Sequence, residues 1–135
     1  MPAGHGNPKT AYFDPAYAET QALLERARDY AVLGGATASG HPYAQVEALR
    51  VTARLTQVMA WLMAQRAVVD GEISPRQALQ KFSLSAGLRQ VCADAGRVDD
   101  PSLPVPVRDL LTASADLYTR ICRLEQLASA RLPAT

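Results

Sequence analysis

Bulky aromatics are scarce in this 135-residue chain, which holds one Trp and two Phe, while Ala and Leu abound. That imbalance favours helices over sheets, and no β-rich alternating segment competes with it. Acidic and basic side chains nearly cancel at a formal +1, so a globally basic nucleic-acid or membrane binder is not indicated, which leaves room for local basic patches. Only two cysteines occur, Cys92 and Cys122, and they form no metal-ligand pattern. A reduced pair in the cytosol is the expected state. The N-terminus lacks the charged-then-apolar pattern of a secretory signal, and no apolar run approaches the ~20 residues that cross a bilayer. A cytoplasmic protein is therefore expected. His5 and His41 have no His, Cys or carboxylate at ligand spacing, so no metal or other cofactor is expected. A phosphate-binding Gly loop, a GxSxG elbow and an HExxH motif are all missing, and with them the usual signs of an enzyme.

What is present is helical patterning. The stretch from Val46 to Glu72 has no Pro, and no Gly before Gly71. As a helix it would run about 40 Å. Val51, Leu55, Val58, Leu62 and Val69 make one apolar seam, and Leu49, Met59 and Met63 a neighbouring one. So wide an arc calls for several packing partners. The pattern predicts an all-α fold, an antiparallel up-down-up three-helix bundle with long helices over about 14–33, 43–70 and 106–131. A short helix is expected over about 75–81. Residues 1–13, rich in Pro and Gly, read as a flexible tail and 132–135 as a short C-terminal one, leaving a single domain over 14–131.

Asp14-Pro15 reads as a helix start with Asp as cap and Pro at the first helical position, and Ser74-Pro75 repeats the signal. Gly34-Gly35 stops the first helix before a loop to His41. Inward positions are Tyr17, Leu24, Ala27 and Ala31 on the first helix. On the third they are Val107, Leu110, Leu111, Leu117, Ile121, Leu124 and Ala128. Residues 82–105 are undecided, with Leu84, Leu88, Val91 and Cys92 spaced for one more short helix. A thin bundle leaves part of the central helix uncovered, and homodimerisation supplies cover with one self-complementary patch.

Four residues of the central helix stand out: Arg50, Arg54, Trp61 and Arg66. Arg50 and Arg54 share a face, and Glu47 is placed to pair with Arg50. One reading is an ion-paired surface stripe; the other is a partner-binding or dimer-interface patch, where Arg and aromatics are enriched. Trp61 fits a core anchor as well as an interface hot spot. Ser74 to Cys92, with Arg76, Lys81 and Arg89, has a helix–break–helix outline. It keeps a small helical DNA-binding regulator as the alternative function, although near-neutral charge argues against strong nucleic-acid binding.

The segment ALRVTARLTQVMAWLMAQRAVVDGEIS resembles the signature of an alphaproteobacterial family once known only as a domain of unknown function. Its best-known member is the regulator of CtrA degradation. FDPAYAETQALLERARDYA and LPVPVRDLLTASADLYTRICRLEQL are similar to the flanking helices, so the resemblance spans about Tyr12 to Leu127. Its most specific part is the Arg50/Arg54 spacing followed by Trp61-Leu62, Gln65-Arg66-Ala67 and Gly71-Glu72. The resemblance implies a dimeric helical adaptor without catalytic activity. Such adaptors help deliver a cell-cycle response regulator and other cargo to the ClpXP protease, together with a single-domain response regulator. Only about Ala128 to Thr135 follows Leu127, so the folded surface rather than a long tail is expected to bind partners.

Overall fold

A computed structural model describes residues 12–84 and 89–132. Leu88, one of the residues spaced for the extra helix, and residues 1–11 of the expected tail lie outside them. The described residues are all-helical and contain no strand, with six helices in the order α1 Asp14–Val32, α2 Gly35–Ala38, α3 Ala44–Val69, α4 Pro75–Phe82, α5 Arg89–Ala93 and α6 Val105–Ala130. None of these helices is long and apolar enough to cross a membrane.

The helix ends follow from local chemistry. Phe13, not Asp14, occupies the N-cap of α1, and no side chain caps it. Asp14 and Pro15 sit one position further in, where Asp14 still faces the positive end of the helix dipole. The segment after Gly34 holds one helical turn, α2, where a loop was expected. α3 ends in a Schellman motif: Glu72 N–H donates to Ala67 O (2.9 Å) and Gly71 N–H to Val68 O (3.1 Å), with Gly71 at φ +79°. Only Gly adopts that left-handed angle without strain. α4 starts with the expected Ser74-Pro75 signal, strengthened by a reciprocal capping box between Ser74 and Gln77.

α3 packs against α6, α1, α4 and α5, and α1 also touches α6. The core draws on Val51, Leu55, Val58, Trp61 and Leu62 of α3, and on Val107, Leu110, Leu111, Leu117 and Ile121 of α6. α1 adds Leu23, and Leu84, Cys92 and Leu103 come from the connections. Several expected inward positions shift. On α1, Thr20 and Leu23 are the buried residues, Leu24 and Ala27 are half-buried, and Ala31 is exposed, as is Ala128 on α6. α1 is covered from one side only, so its buried arc is narrower than its apolar spacing suggests.

Candidate functional site

Arg54 is not on the surface. It is fully buried, at 0% exposure, and engaged on every nitrogen of its guanidinium. Nε donates to Cys92 O at 2.9 Å, Nη1 to Leu111 O at 2.9 Å and to Ser114 Oγ at 3.0 Å, and Nη2 to Asp94 O. The planar fork thus ties the end of α5 and the turn after it to the middle of α6. Burial pulls the Arg54 pKa down and nearby Arg50 adds to this, while Glu47 and Asp94 oppose it. Neither a surface ion-pair stripe nor a recognition patch describes this residue, because the folded protomer leaves none of it for a partner.

Two helical turns away, Glu47 is also fully buried. Its Oε1 accepts from Arg50 Nε at 3.2 Å and its Oε2 from Arg97 N at 2.8 Å. Arg50 Nη1 reaches Val91 O at 2.6 Å, and the Arg97 guanidinium lies over the Tyr43 ring at 3.5 Å. Gly96, at φ +71°, fits against this carboxylate: a Cβ there would stand 2.2 Å from Glu47 Oε2. Arg50, half-buried, therefore holds residues 91–97 rather than a partner.

A second clamp, which nothing in the sequence pattern announced, fixes the other end of the same connection. Glu125 Oε2 accepts from Leu84 N at 2.7 Å, and Tyr118 Oη donates to Leu84 O at 3.1 Å. Both come from one face of α6, seven residues apart. Burial raises the pKa of the Tyr118 hydroxyl. Glu125 looked like an ordinary helix-surface acid, and only the return path of the chain explains its burial. Gly96, by contrast, could have been flagged as a glycine inside a short polar turn.

Trp61 is a core residue, 3% exposed, with Phe13 edge-on to it at 5.7 Å between ring centroids. Arg66 is exposed and stacks over Tyr17 at 4.9 Å. The four singled-out residues therefore do not form one patch.

What faces outward on α3 is different. Its charged residues are Glu47, Arg50, Arg54 and Arg66 alone, and the first three are turned inward. The opposite side carries Val46, Leu49, Ala53, Thr56, Ala60, Met63 and Ala67, spaced three and four apart and uncharged throughout. Val46 is 48% exposed, Leu49 66% and Met63 58%. Beside the N-terminal half of this stripe lies a groove of about 290 Å³ between α1, α2, α3 and α6, lined by Tyr30, Ala31, Ala48, Leu49 and Leu110 among others, with no charged residue.

The polar groups outside the clamps are arranged for support. His41, with no carboxylate at ligand spacing in the sequence, meets the distant Asp100 Oδ2 at 3.3 Å and Ser102 Oγ at 3.0 Å. Both contacts use Nε2, while Nδ1 accepts from Tyr43 N at 3.1 Å. A neutral ring that accepts at Nδ1 carries its proton on Nε2, so it cannot take one from Ser102. Ser102 Oγ in turn donates to Asp100 Oδ1 at 2.6 Å, and the trio pins the start of α3 to the turn before α6. Burial raises the thiol pKa of both Cys92 and Cys122, which keeps them protonated and slow to react. Among the described residues no group of three or more His, Cys, Asp or Glu could hold a metal ion.

The sequence profile of a family of proteins of unknown function, DUF1465, matches residues 7–134, and the chain belongs to that family. No curated protein and no solved structure matches it.

Proposed function

We propose that this DUF1465 protein is a non-enzymatic protein–protein adaptor, an up-down-up three-helix bundle that works as a homodimer. In this reading it assists delivery of a response regulator and other cargo to the ClpXP protease. The observation that carries the interaction role is the exposed apolar stripe of α3 through Val46, Leu49 and Met63. A solvent-facing side of a 26-residue helix ordinarily carries several Lys, Glu or Arg, and among the exposed positions of α3 only Arg66, near its C-terminal end, is charged. Its three-and-four spacing suits a self-paired helical seam about a two-fold axis, with Leu49 and Met63 as knobs. The protease assignment rests on the resemblance of the α1, α3 and α6 segments to the adaptor family described above. An adaptor needs no active site, since holding cargo beside a protease raises their effective concentration.

Light scattering at micromolar concentration tests the pairing. The wild-type chain should give a dimer mass, and Leu49→Asp with Met63→Asp a helical monomer; a monomeric wild type overturns the pairing. Affinity capture from the native host with proteolysis blocked tests the delivery role. Protease subunits and a response regulator should be recovered, and their absence refutes it.

A further inference from the structure

The two thiols of the chain share one cavity. Cys92 on α5 and Cys122 on α6 are both free, and with Arg89, Tyr118 and Thr119 among others they line a space of about 150 Å³. None of the lining residues belongs to α3, so this place is separate from the proposed dimer seam. Each cysteine is carried on a fixed element. Arg54 Nε holds the Cys92 carbonyl at 2.9 Å. Cys122 stands one turn of α6 beyond Tyr118, whose hydroxyl is tied to Leu84 O and lies within hydrogen-bonding reach of the Cys122 sulfur. Cys92 is 1% exposed and Cys122 half-buried, whereas Arg89 and Thr119 are exposed, which leaves a way in from solvent.

The donor set is narrow. Among the described residues no third His, Cys, Asp or Glu completes a cluster, so a four-ligand zinc site cannot form here. Two sulfurs alone suit a soft ion that accepts two ligands, and thiolates select copper(I) on softness. Charge agrees. Desolvation keeps the free thiols protonated, but Arg54 and Arg50 act on Cys92, and Arg89 on Cys122, in the opposite sense. A copper(I) bis-thiolate carries one net negative charge, which these guanidinium groups offset.

We infer that Cys92 and Cys122 form a two-coordinate copper(I) site between α5 and α6. Both S–H bonds break and two copper–sulfur bonds form. The metal stays monovalent, and two protons pass to solvent for each ion taken up. The bound ion joins α5 to α6 and thereby stabilises the fold.

The probe is copper(I) itself, presented without oxygen to the reduced full chain as its complex with a colorimetric chelator. One ion per chain should leave the chelator, with ultraviolet copper–thiolate absorption appearing and the thermal midpoint rising. Cys92→Ser and Cys122→Ser should each weaken binding by at least about a hundredfold, since one thiolate cannot complete the site. Cys122→Ser, at a half-buried position, should keep wild-type helicity, so it decides the matter if Cys92→Ser does not fold. Failure to withdraw copper from the chelator, or binding undiminished in Cys122→Ser, overturns the inference. So does half an ion per chain, which would place the metal between two copies, or zinc(II) held as tightly as copper(I).

Discussion

Replacing Arg54 with Met tests the clamp most directly. Methionine keeps much of the stem's volume and removes every donor. Four acceptors lose a partner: Cys92 O, Asp94 O, Leu111 O and Ser114 Oγ. Charge-assisted bonds contribute about 1.5–3 kcal/mol each. The sum is not the answer, because removing a fully buried cation also relieves a desolvation penalty of several kcal/mol. Leu111 O keeps the Ser114 hydroxyl at 3.3 Å, so it is not orphaned. Cys92 O and Asp94 O are left without their donor, at about 1–3 kcal/mol each where water cannot reach. The net expectation is a loss of about 3 kcal/mol, seen as a urea midpoint lower by ~1–2 M. Because the lost contacts are concentrated on residues 92–94, hydrogen exchange in 89–97 should accelerate more than in the middle of α3 or α6. A surface arginine would change stability by less than about 0.5 kcal/mol. A loss below ~1 kcal/mol, with exchange in 89–97 unaltered, would refute the clamp.

Gly96→Ala should destabilise by more than the ~1 kcal/mol of left-handed strain alone, since its Cβ meets the Glu47 carboxylate. Urea unfolding checks this, and in a Glu47→Ala background, where the clash is absent, Gly96→Ala should cost only about the strain itself. Asp94 and Asp100 have carboxyl pKa values held below the ordinary range, Asp94 chiefly by the Gly96 N–H and Asp100 chiefly by the Ser102 hydroxyl and N–H. Their stabilisation is thus fully present above the unfolded value of ~3.9 and fades as pH falls through the lower folded values. Unfolding followed below pH 4 should lose this dependence in part in D94N/D100N.

The long helices were legible because their apolar spacing and their stop signals are local. α1, α3 and α6 lie within a residue or two of their expected bounds, and Ser74-Pro75 marked α4 for the same reason. Burial was less legible. Whether Ala31 or Leu23 is covered depends on which neighbour crosses α1, and nothing within α1 encodes that. The role of Arg54 was hidden more deeply. Three of its four acceptors are main-chain oxygens, at positions 92, 94 and 111, and carbonyls leave no residue-type signature in a sequence. Glu125 fails for the same reason, because its partner is the amide of Leu84. Polar residues that satisfy backbone look identical in sequence to polar residues that face water.

That hidden pairing also explains the inverted polarity of α3. Outside α5, the described residues of the connection, 83–84 and 94–104, form no helix or strand, so several of their carbonyls and amides have no neighbour in their own segment. An apolar face could cover this chain but could not satisfy it. Glu47, Arg50 and Arg54 do both: Glu47 takes the Arg97 amide, Arg50 the Val91 carbonyl and Arg54 the carbonyls of Cys92 and Asp94, each on an aliphatic stem. Packing the connection on α3 and α6 therefore draws the charges of α3 to its inner side. The wide apolar arc is then split, with Val51, Leu55 and Val58 inside and Val46, Leu49 and Met63 outside. With Glu47, Arg50 and Arg54 turned inward, α3 keeps only Arg66 among its charges to solvate its outer side. Leaving Val46, Leu49 and Met63 in water costs stability, so the residues that anchor the connection do so at the expense of the outer side of α3.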